Sequence, residues 1–162
     1  PIHVAKMVVD DRIDGHQLHG ALQSIDRGIG TDVVAQIDVG VVTGGVGLGK
    51  TTVLLSVINE LEPDFLVVEA GASPLEPYNG MALVDELGDN VVCTILCASD
   101  PYAVVGVEKA FGLRPDLVTG PATQTSAAVE LVWKLSGLHG INIIDPAAKQ
   151  RFHNFLADKL GL

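Results

Sequence analysis

Short apolar runs alternate along this chain with longer stretches in which apolar residues return at helical spacing, and the alternation lays out its elements in order. Residues 2–9, Ile-His-Val-Ala-Lys-Met-Val-Val, read as a strand that Asp10 and Asp11 end. Asp14 caps a helix whose apolar stripe is Leu18, Leu22 and Ile25, and Gly28 stops it. In the next strand Ile37, Val39 and Val41 alternate, with Val42 beside them and Asp38 and Gly40 on the other face. A helix over 51–61 carries Val53, Leu54, Leu55, Val57 and Ile58, and Glu62-Pro63-Asp64 turns into the apolar strand 65–69. Asn79 caps a short helix through Leu87, closed by Gly88, before a strand over 91–98.

The second half repeats the rhythm. Asp100 before Pro101 pairs an N-cap with a proline at the first helical position, Gly112 closes that helix, and Asp145-Pro146 predicts the same opening for the last helix. Between them lie a strand over 115–119, a loop over 120–125, and a helix that turns Val129, Val132, Trp133 and Leu135 inward and stops at Gly137. Residues 141–144 predict a last strand, and the closing helix puts Ala148, Phe152, Phe155, Leu156 and Leu160 on one face. Strands and helices in alternation, with short connections, predict a doubly wound α/β domain with a mainly parallel sheet and its site along the strands' C-terminal edge. No repeat or linker interrupts it, so residues 1–162 are expected to form one domain.

Composition agrees and narrows the partners. Of 162 residues, 48% are hydrophobic and only 4% aromatic, which suits strands buried on both faces. A net charge of −10 with ten scattered basic residues argues against a nucleic-acid partner. No apolar run reaches membrane-spanning length and no leader pattern opens the chain, so no membrane is expected and the location reads as cytoplasmic. The chain opens at Pro1 without an initiator methionine, which fits a processed product, a fragment or part of a longer chain. Cys93 and Cys97, four apart on one strand, stand roughly 13 Å apart, too far for a disulfide, and read as buried thiols. His16 and His19 share a helix face, but without a third ligand nearby they read as surface or structural histidines.

The candidate chemistry begins at Gly44-Gly45-Val46-Gly47-Leu48-Gly49-Lys50-Thr51-Thr52, which fits G-x-x-x-x-G-K-[ST] without a gap. Glycines let a loop turn its N–H groups inward and approach a phosphate closely, the lysine meets phosphate oxygens, and the hydroxyl reaches a magnesium ion. The strand before and the helix after give the motif the context that separates it from a glycine turn with an incidental lysine. Strand 65–69 ends in Glu69 and runs into Ala70-Gly71-Ala72-Ser73-Pro74, small residues that keep the backbone near a site. Glu69 is therefore expected to face the magnesium through water or to orient the attacking group, rather than merely to leave the core at a strand end. Asp100 reads first as a helix cap and second as a residue behind the magnesium. The loop 120–125 lacks the Asn-Lys-x-Asp guanine reader, so no motif selects GTP.

Together the loop 44–52, Val67-Val68-Glu69-Ala70-Gly71-Ala72-Ser73 and Leu96-Cys97-Ala98-Ser99-Asp100-Pro101 resemble P-loop NTPases of the branch with dethiobiotin synthetase, the molybdopterin-guanine-dinucleotide accessory proteins and the nickel-insertion GTPases. The chain looks most like the P-loop domain of the DUF1611 family, over roughly residues 39–145. The resemblance implies a three-layer P-loop sandwich that binds ATP or GTP with Mg2+. It implies Lys50 and Glu69 in catalysis, residues 44–52 around the nucleotide, and Thr51, Glu69 and Asp100 toward the metal. It departs from the branch at Gly45, where dimerising ATPases carry a further lysine, and in the single short helix between Lys50 and Glu69, where relatives insert another strand and helix. Either the chain is pared down there or a segment is missing. The first 38 residues are also too few for the extra N-terminal domain usual in the DUF1611 family.

The leading expectation is phosphoryl transfer to a small acid, or NTP hydrolysis, by positioning and charge neutralisation. One alternative, prompted by relatives linked to N-acylation of amino acids, is an acyltransferase that holds CoA phosphates on the same loop. Another is a nucleotide-gated accessory protein that delivers a metal, for which the histidines and cysteines offer no clean ligand set. The apolar content leaves room for a homo-oligomer, and loops 70–80 and 120–125, where the substrate would be read, are too generic to name it.

Overall fold

The computed structural model describes residues 3–8, 39–42, 65–69, 85 and 87–161, with 3–8, 39–42, 65, 66 and 69 as backbone only. Five strands stand among the described residues: β1 (His3–Val8), β2 (Val39–Val42), β3 (Phe65–Glu69), β4 (Val91–Cys97) and β5 (Leu117–Thr119). They form one sheet in the order β2-β3-β1-β4-β5, and every pairing is parallel. An α/β architecture with a parallel sheet is thus present. The strand predicted over 65–69 has those limits, whereas β4 ends one residue short of the predicted 98 and β5 starts two residues after the predicted 115.

Three α-helices among the described residues complete the C-terminal half: α1 (Pro101–Phe111), α2 (Ser126–Ser136) and α3 (Lys149–Leu160). Their limits follow from local chemistry. Asp100 and Thr125 are extended N-caps whose side chains accept backbone N–H groups of the first turn. Gly112, Gly137 and Gly161 end the three helices in the left-handed conformation, which lacks a steric penalty only for glycine.

Alternation along the strands divides the core between two faces. Val68, Leu96 and Val118 pack with Val104 of α1 and Val132 of α2, whereas Val67, Ile95 and Leu117 pack with Phe152 and Leu156 of α3. Strands β4 and β5 are therefore covered on both sides, which is why β4 reads as an almost unbroken apolar run. Each of these side chains contributes about 1.5–3 kcal/mol by leaving water.

Three sequence expectations change. Residues 141–144 do not form a strand: the chain makes one parallel bridge, Gly140 to Val118, and then turns. Asn142 explains the break, since its side-chain oxygen accepts the N–H of Ile144 and its carbonyl accepts that of Asp145, removing donors from a ladder. The apolar stripe of α2 is narrower than expected, with Val132 fully buried but Trp133 52% exposed and Leu135 also outward. Trp133 instead lies against the ring of His139, with centroids 5.0 Å apart. Asp145 caps a 3-10 turn over Pro146–Ala148, and α3 starts only at Lys149.

The helix expected over 14–28 with His16 and His19, and the helix over 51–61, lie outside the described residues. So does most of the helix expected from Asn79 to Leu87, of which residues 85 and 87 are seen as helical. Among the described residues no helix is long and apolar enough to cross a membrane.

Candidate functional site at the C-terminal edge of the sheet

Parallel pairing brings all five strand ends to one edge, and the registers say what stands beside what. Val42 of β2 pairs with Val68, so Glu69 comes one residue further along the neighbouring strand. Two residues past Val42 the sequence enters Gly44. The ends of β2 and β3 are thus adjacent, about 4.8 Å apart by sheet geometry. Glu69 also pairs with Met7 of β1, and Val8 of β1 pairs with Leu96 of β4. Gly44, Gly45, Val46, Gly47, Leu48, Gly49, Lys50, Thr51 and Thr52 lie outside the described residues, and Glu69 is described by its backbone alone.

Asp100 belongs to a different part of this edge. It follows β4, which β1 separates from β3, so it starts two strand spacings, roughly 10 Å, from the strand of Glu69. Its carboxylate has three partners: Oδ1 accepts the N–H of Tyr102 at 2.8 Å and of Ala103 at 3.0 Å, and Oδ2 accepts the Ser99 hydroxyl at 3.0 Å. The Ala103 N–H, the Ser99 hydroxyl and the Tyr102 N–H together hold its carboxyl below the usual carboxylate range. Capping of α1 accounts for this geometry. Next to it the ring of Tyr102 is 70% exposed.

The ends of β4 and β5 are locked together. Ala98 donates its N–H to the Thr119 carbonyl at 3.1 Å, and Ala122 donates to Ala98 at 2.9 Å. Gly120 makes the lock possible: at φ +85° it avoids strain, and a Cβ there would stand 2.7 Å from Cys97 Sγ and 3.1 Å from the Ala98 carbonyl. Thr123, fully buried, holds its hydroxyl 3.0 Å from the carbonyls of both Gly120 and Ile141. Beside them the hydroxyl of Thr119 is buried and finds no hydrogen-bond partner among the described residues.

Farther from this edge, Asp116 precedes β5, exchanges hydrogen bonds with Thr94 and meets Lys159 of α3 at 2.6 Å. The hydrogen bond and charge of Asp116 raise the Lys159 ammonium above its usual range. Burial, reinforced by the Asp116 charge, pushes the Cys93 thiol up to about 12, which makes it an inert core group. Cys93 and Cys97 both remain thiols. Among the described residues no three His, Cys, Asp or Glu side chains gather as a metal site would require.

No family model matches the chain. No curated protein and no solved structure matches it either. The functional argument accordingly rests on the residues and their placement. Sequence reasoning picked out the glycine loop, Glu69 and Asp100, and it passed over Thr119, Gly120 and Thr123. Their signal was faint: a threonine at a strand end, followed by Gly-Pro, is also ordinary loop chemistry.

Proposed function

We propose that the chain is a P-loop nucleotide-binding domain of the three-layer α/β type, which holds the phosphates of ATP or GTP, with Mg2+, on the loop 44–52. The observation that carries this reading is the pairing of motif and register. The phosphate-loop sequence follows a parallel strand, and the adjacent strand ends at the same level in an acidic residue. Backbone N–H groups of Gly45 to Gly49 face the phosphates, and Lys50 neutralises their charge. The Thr51 hydroxyl and, through water, the Glu69 carboxylate are hard oxygen donors of the kind magnesium takes. The metal supplies charge neutralisation when bound; Glu69 orients the attacking oxygen and accepts its proton. The acceptor is water or a small acid.

Calorimetric titration with Mg-ATP and Mg-GTP tests the reading. Wild type is expected to bind at least one of them, Lys50→Ala to lose at least tenfold in affinity, and Glu69→Gln to bind but turn over more slowly. Absence of binding, or unchanged binding by Lys50→Ala, refutes it. Acetyl-CoA binding that Lys50→Ala weakens, while neither Mg-nucleotide binds, would replace the nucleotide by CoA phosphates.

A further inference from the structure

We draw no further inference here: the strongest candidate, the exposed surface patch that Trp133 of α2 forms with the ring of His139 in the loop after it, carries nothing because nothing in the structure shows what covers it.

Discussion

Replacing Asp100 by alanine separates its work as a cap from any work as a metal residue. The side chain accepts two N–H groups of the first turn of α1, at 2.8 and 3.0 Å, and alanine leaves both to water. Loss of an N-cap of this kind costs about 1 kcal/mol, and loss of a carboxylate from an exposed helix N-terminus adds about 0.3–1 kcal/mol. We therefore expect Asp100→Ala to lose about 1–2 kcal/mol, or roughly 3–6 °C in Tm for a chain of this length. Asp100→Asn keeps an acceptor and loses the charge, so it should fall by only about 0.3–1 kcal/mol. The pH dependence has a definite sign. Folding lowers the pKa of Asp100, so its contribution is complete above the unfolded value near 4 and fades as the pH falls through the folded value. The gap between wild type and Asp100→Asn should accordingly close below about pH 4. Urea unfolding followed by circular dichroism, from pH 3 to 7, measures both effects. A loss under about 0.3 kcal/mol in Asp100→Ala, or an Asp100→Asn variant as unstable as Asp100→Ala, would refute the capping account. Repeating the series with Mg-nucleotide extends the test to function. A pure cap leaves the ligand-induced rise in Tm intact in Asp100→Asn, whereas a residue behind the metal loses it.

Other sites give independent checks. Leu156→Ala removes a side chain of α3 that is 1% exposed, and should cost about 2–5 kcal/mol in the same unfolding assay. Gly120→Ala forces a Cβ to 2.7 Å from Cys97 Sγ at a φ of +85°; strain and overpacking should together take at least about 2 kcal/mol, visible as a fall in Tm. Asp116→Ala should destabilise more than Lys159→Met, because it also strands the N–H of Thr94, while the exposed ion pair is worth under about 1 kcal/mol and weakens with salt. The Lys159 contribution is complete below the unfolded ammonium pKa near 10.4 and disappears as pH rises through the raised folded value, so the Lys159→Met difference should vanish in strong alkali. Cys93, buried with its thiol pushed up to about 12, should resist iodoacetamide at pH 8 until urea unfolds the chain, as mass spectrometry of the alkylated peptide will register.

Much of the C-terminal half was legible because its signals are local. Asp100-Pro101 sets a helix start, and Gly112, Gly137 and Gly161 stop their helices through backbone freedom that no distant contact is needed to explain. What misled the reading was competition between local and tertiary effects. Trp133 and Leu135 fit an apolar stripe by spacing, yet Val132 alone fills the buried line of α2. Residues 141–144 have strand composition, but the side chain of Asn142 takes a backbone donor that strand pairing would use. The order of the strands was not legible at all, since short apolar strands of similar composition carry no label for their neighbours. The unpartnered hydroxyl of Thr119 was hidden for the same reason: burial is a property of what folds over a residue, not of the residue.

The strand order turns the site from a motif into a sequence of contacts. Strand β2 has only β3 as a partner among the described residues, so the phosphate-loop sequence follows the edge of the described sheet and not its middle. The chain passes from β1 toward β2 on one side and from β4 to β5 on the other, which makes the gap between β1 and β4 the point where the connections diverge. On the proposed reading, a ligand anchored after β2 would pass the end of β3, where Glu69 stands, before it reached the diverging ends of β1 and β4. Contacts at these depths should respond to ligand length. If the proposed reading holds, tripolyphosphate, which has only phosphates to offer, should be weakened by Lys50→Ala as the whole nucleotide is.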